Sequence, residues 1–248
     1  MILARLTRAF RTQNWFAVAL EFVIVIAGVV VGFQITAWND AQGDIRRLEL
    51  QAEAVRQEML ENMERLSDYE EHMDRSIDHL TEFSAYLAGT DDELAQEELA
   101  VLVFIAIRVE ILQLKTTALE GLLAADNVVA LEPACLLDII EDWESSRQRL
   151  MRTSQDTLHY RDNVVYARFS EILPMDQVAA TQSGFAVHAA ASGASLADAI
   201  NAHRSELASI IASRQIMSVT DRHLMRQLQQ ATENLIAALS DRSCEPTE

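Results

Sequence analysis

The sequence predicts an all-α protein: one amino-terminal transmembrane helix continuing into a long, coiled-coil-like helical bundle with three long helices and shorter connecting ones. Three observations carry this. Only 7 Gly and 3 Pro occur in 248 residues, half of which are hydrophobic, so long helices meet few interruptions. Apolar residues recur three and four positions apart through long acidic stretches, the period of a helix buried on one face. One apolar run, Trp15 to Trp38, is long enough to cross a bilayer.

The apolar run comes first. Between Trp15 and Trp38 only Glu21, Gln34 and Thr36 carry polar side chains. At helical rise the span is roughly 35 Å, the hydrocarbon core with a little interface at each end. Trp15 and Trp38 sit where the aromatic belts of a membrane lie and are the expected interface anchors. Gly28 and Gly32 form a GxxxG, whose small residues let a second helix approach. At about 100° per residue Glu21 shares their stripe, and so does Asn39, while Gln34 does not. Glu21, Gly28 and Gly32 are therefore the expected membrane-helix association face, making a homo-oligomer. The bland alternative is a chance GxxxG in a valine-rich span, with Glu21 snorkelling to the interface. An ionisable group facing lipid costs about 2.5 kcal/mol or more at the helix centre.

The run L-E-F-V-I-V-I-A-G-V-V-V-G-F-Q to A-W-N-D resembles the amino-terminus of an uncharacterised bacterial family of single-pass, amino-terminally anchored helical membrane proteins. Their anchor closes in a tryptophan-asparagine-acid signature. The likeness covers about the first forty residues and is fainter over T-T-A-L-E-G-L-L-A-A-D-N-V-V-A-L at 116–131. It implies architecture and a bacterial inner-membrane location, and no activity.

Arg5, Arg8 and Arg11 precede the span, and Arg46 and Arg47 follow it among acids. The positive-inside rule then places the amino-terminus in the cytoplasm and the C-terminal domain outside it. A cleaved signal peptide is the competing reading, with Ile35-Thr36-Ala37 as a weak cleavage site. The expected layout is a basic N-terminus at 1–15, the span at 16–38, an acidic helical domain at 39–241 and a polar tail at 242–248.

From Asn39 the pattern stays helical. Ile45, Leu48, Ala52, Val55, Met59, Met63, Leu66, Met73, Ile77, Leu80 and Leu87 mark one face up to Gly89. Thr90 or Asp91 is expected to cap the next helix, whose apolar run Leu99–Ile107 is too short to span a bilayer. Thr116 or Thr117 starts a short helix closing near Asp126-Asn127. Glu132-Pro133 opens a second long helix with Leu136, Ile140, Trp143, Leu150, Leu158, Val165 and Phe169 inward, ended by Pro174. Residues 175–194 are expected to hold a short helix or a mobile region. Ser195-Leu-Ala-Asp198 resembles a capping box and starts the third long helix, through Leu207, Ile211, Leu224, Leu228, Leu235 and Leu239.

Net charge is −18, and residues 1–38, with three arginines and one glutamate, leave −20 for the remainder. Such a domain repels phosphate backbones, so nucleic acid is not an expected partner. Cys135 and Cys244 flank the second and third long helices. If those run antiparallel, the pair can close a disulfide in an oxidising compartment. The alternative is two unpaired small hydrophobes.

For chemistry the sequence offers little. His72 and His79 share a helical face, and Asp156-x-x-His159 is half of a di-iron pattern with no second half. The acidic neighbours of His72 are the common composition of a solvated face. GxSxG, HExxH and phosphate-loop motifs are missing. Neither an enzyme, a cofactor nor a metal is expected. Two functions remain. One is a membrane-anchored extracytoplasmic scaffold or interaction protein with an unknown protein partner. The other is a sensor-like bundle that binds a small ligand and signals through a membrane partner, favoured by a pocket near Ala189–Ala194.

Overall fold

The computed structural model describes residues 15–90, 94–125, 135–182 and 195–241, and every regular element among them is helical. The first helix, α1, runs unbroken over Trp15–Ala88, 74 residues or about 110 Å. The lone Gly43 does not interrupt it. One stretch of α1, next to the amino-terminus, is long and apolar enough to cross a membrane, and none of it is buried by the rest of the chain. The helix closes in a Schellman motif: Gly89 adopts φ 75°, its N–H donates to Tyr86, and the Thr90 N–H donates to Ala85. The Thr90 hydroxyl also donates to Ala85. Thr90 thus ends α1 instead of starting α2.

Helix α2 (Gln96–Ile107) starts at Ala95, whose N–H donates to the Glu98 carboxylate at 2.8 Å. An extended strap, residues 108–116, follows, then the short α3 (Thr117–Leu123). The second long stretch is not one regular helix. It comprises α4 (Leu136–Tyr160), a π-helical turn (Arg161–Tyr166) and α5 (Ala167–Ile172). Buried positions on α4 step by seven from Leu150 to Thr157, then by eight to Val165. The π-turn absorbs that extra residue. Thr157, not the expected Leu158, consequently reaches the core.

Helix α6 (Met175–Gln182) fills the first part of the ambiguous segment, and 183–194 lie outside the described residues. Ser195 does cap α7 (Leu196–Ala202), accepting from the Asp198 N–H at 3.1 Å. A turn at His203 separates α7 from α8 (Arg204–Asp241), so the third stretch is also divided. Residues 1–14, 91–93, 126–134 and 242–248 likewise lie outside the described residues.

Helix α8 packs along both α1 and α4. Thr81, Asp74 and Glu70 on α1 meet Gln215, Arg222 and Arg226 on α8, and Trp143 and Thr157 on α4 meet Thr232 and Asp221. Both pairings are therefore antiparallel. On α8 the buried residues Leu207, Ile211, Arg214, Ser218, Asp221, Met225, Leu228, Thr232 and Leu235 step alternately by four and three.

The apolar core is two clusters. One gathers Leu48–Met73 of α1 with Leu119, Leu122, Trp143, Leu150, Met225, Leu228 and Leu235, on the side nearer the apolar stretch. The other gathers Leu80–Leu87 with α2, Val165, Phe169, Leu196 and Leu207–Ile211. Ile45, expected in the core, is exposed, because the clusters begin only at Leu48.

Candidate functional site

Between the two clusters the inward positions turn polar. Arg214, Ser218 and Asp221 of α8 and Thr157 of α4 are all buried, at 4%, 1%, 3% and 1% exposure. Tyr69 is buried on α1, and Ser76 lies half-buried beyond it. These are core positions by spacing, so the side chains are held at the helix interface and not merely hidden from solvent.

The contacts leave part of this layer without partners. Arg214 donates from Nη1 to Ser218 Oγ (2.8 Å) and from Nη2 to the Arg108 carbonyl (3.1 Å). Its Nε finds no hydrogen-bond partner among the described residues. Asp221 Oδ2 accepts from the Thr157 hydroxyl at 3.0 Å, while Oδ1 is unpartnered among the described residues. Seven residues apart on α8, Arg214 and Asp221 feel each other's charge but form no direct ion pair among the described residues. Burial lowers the Arg214 pKa and raises that of Asp221, with the opposite charge countering each shift. Burial, then the Asp221 charge, pushes the Tyr69 phenol up to about 12, so it is a neutral donor. Two charges held this way are costly unless further polar contacts satisfy them.

A half-enclosed cavity of about 160 Å³ opens beside this layer. Four helices and the strap wall it: Tyr69, His72, Met73, Arg75, Ser76 and His79 of α1; Ile105 of α2 with Arg108, Val109 and Glu110 of the strap; Thr157 of α4; and Arg214 and Asp221 of α8. His72 and His79 each contact the carbonyl four residues back through Nδ1, at 2.7 and 2.6 Å. A carbonyl only accepts, so Nδ1 carries the proton and Nε2 is the ring's remaining hydrogen-bonding atom.

The strap is fixed by side chains of α1. Asn62 donates to the Lys115 carbonyl (2.8 Å) and accepts from the Lys115 N–H (2.9 Å), while fully buried. Glu58 accepts from the N–H groups of Ala118 and Leu119 at the start of α3 (2.8 and 3.1 Å). Glu61 pairs with Lys115, and Arg65 donates to the Gln113 carbonyl. These residues lie within two turns on one side of α1, and they give an extended segment the backbone partners it lacks in itself.

The residues singled out in the sequence lie elsewhere. Among the described residues, nothing beyond the helix's own backbone stands within 4 Å of a Cβ placed at Gly28 or Gly32, and the face with Glu21 is exposed. Trp15 opens α1, and Trp38 is exposed. Cys135, in the turn before α4, is disulfide-bonded, and Cys244 lies outside the described residues. Ala189–Ala194, where a pocket would favour the sensor reading, also lie outside them. Of the histidines weighed for metal, His72 and His79 reach the cavity, whereas His159 pairs with Asn163 of the following π-helical turn. No group of three or more His, Cys, Asp or Glu able to hold a metal occurs among the described residues. The sequence reading missed Arg214, Asp221 and Thr157 as a site. Its signal was the twelve-residue gap between Ile211 and Leu224, where the four-three spacing continues in polar residues. The chain matches no family model, no curated protein and no solved structure.

Proposed function

We propose that this protein is a membrane-anchored, sensor-like helical bundle that takes a small polar ligand into the cavity and signals through a membrane partner. One observation carries the reading: the cavity wall and the apolar stretch belong to the same unbroken helix, α1. A ligand that spreads or draws together α1 and α8 at Ser76 and Asp221 acts on a rigid rod ending in the bilayer. The alternating four-three spacing of the buried residues supports a coiled-coil-like domain of three long stretches, a packing suited to small shifts of one helix against another.

The span is at residues 16–38 of a bacterial inner-membrane protein, with the amino-terminus cytoplasmic and the domain from 39 onward extracytoplasmic. The bonded state of Cys135 supports an oxidising compartment, and Cys244, the other cysteine of the chain, is its proposed partner. Glu21, Gly28 and Gly32 form the association face, bare within a single chain. The bilayer and a second copy are then partners, nucleic acid is not, and no enzymatic role is assigned. The scaffold reading draws on the two apolar clusters, which are built from the chain's own buried side chains.

The coupling is tested by a photoreactive side chain at Ile35 in native membranes, compared between the wild type and Ser76→Trp, which fills the cavity. A changed crosslink pattern at Ile35 is the expected result. Identical patterns leave the bundle a scaffold.

A further inference from the structure

We infer that the cavity takes a free α-amino acid, its carboxylate against Arg214 and its ammonium against Asp221. The inference rests on the cavity being a ligand site. Its own basis is the pair of charges left incomplete there: one buried donor, Arg214 Nε, and one buried acceptor, Asp221 Oδ1, without partners among the described residues. Each residue is more than nine-tenths buried, and each lines the cavity. A molecule satisfying only one of them leaves the other uncompensated, which is the expensive arrangement for a buried charge. A zwitterion answers both.

Size and surroundings narrow the class. An apolar cavity of about 150 Å³ holds benzene, so a cavity of about 160 Å³ suits a molecule of comparable bulk. Glycine, alanine, serine, threonine, valine and proline fall in or near that range. Met73, Ile105 and Val109 supply apolar wall for a short side chain. Arg75 and Arg108 stand at the same cavity, paired with Glu71 and with Glu110, which also lines it.

The test is calorimetric titration of the full-length protein in nanodiscs with each of those six amino acids. Propionate serves as a carboxylate without an amine, and ethylammonium as an amine without a carboxylate. At least one amino acid is expected to bind tenfold or more tightly than either control. Asp221→Asn keeps an oxygen for the Thr157 hydroxyl, and is expected to weaken the amino acid at least tenfold while leaving propionate unchanged. Arg214→Lys is the second variant, its melting curve recorded alongside, and is expected to weaken both. Propionate binding as tightly as every amino acid overturns the zwitterion while the cavity stands as an anion site. Binding by none of the probes also overturns it, the layer then being satisfied by water alone. The Ile35 crosslinking is read separately, so either result leaves the coupling to be judged on its own.

Discussion

Asn62 shows how much a single side chain holds here. It is the one fully buried side chain that both donates to and accepts from the Lys115 backbone, among the described residues. Asn62→Ala strands an N–H and a carbonyl at once, and each unmet buried group costs about 1–3 kcal/mol. A loss of about 2–4 kcal/mol is expected in thermal or urea denaturation. Arg65→Ala, whose contact to Gln113 is exposed, should cost less than about 0.5 kcal/mol. Asp221 gives a second expectation, through pH. Its folded pKa is raised above the ordinary 3.8, chiefly by burial. A raised carboxyl contributes stability that is complete below its unfolded pKa and is lost as pH rises through the folded value. Asp221→Asn does not titrate. The melting temperature of the variant relative to wild type should therefore climb as pH goes from about 4 toward neutrality. A flat or falling difference contradicts the buried, uncompensated carboxylate.

Among the elements, α1 was the most legible in the sequence. From Leu48 to Leu87 its apolar ladder is the buried face, with no proline or glycine to interrupt it. The stretches after Pro133 and Ser195 were legible in place but not in continuity. A π-turn and the turn at His203 change register without a Gly or Pro to announce them. The strap could not be read at all, since its partners are acids and amides of α1 some fifty residues away, set among residues that read as a solvated face. Within the apolar part of α1, association is expected to depend on close backbone approach. Gly28→Leu should reduce the signal of residues 12–40 in a membrane two-hybrid assay more than Glu21→Gln, which keeps a donor and an acceptor. If Gly28→Leu, Gly32→Leu and wild type give equal signals, the helix does not self-associate through this face.

For the whole molecule the disulfide and the membrane orientation stand together. A bridge from Cys135 to Cys244 closes a loop of over a hundred residues, worth about 4–5 kcal/mol in the chain-entropy model. Native membranes should yield a faster band on non-reducing than on reducing gels, and thiols closed to alkylation. A reporter that matures only outside the cytoplasm should be active at the carboxy-terminus, and an active cytoplasmic reporter there reverses the orientation. The division of the core into two apolar clusters by the Arg214–Asp221 layer has a further consequence, for the order in which the molecule comes apart. Each cluster is expected to open as a cooperative block, with the polar seam as the boundary between them. Amide exchange should therefore fall into two classes, with the block around Phe83, Val103 and Phe169 opening at a different free energy from the block around Met59, Trp143 and Leu228. The second block lies nearer the apolar stretch of α1 and carries the strap's anchors. Opening of the first block alone is then expected to expose the seam to solvent while the second stays closed.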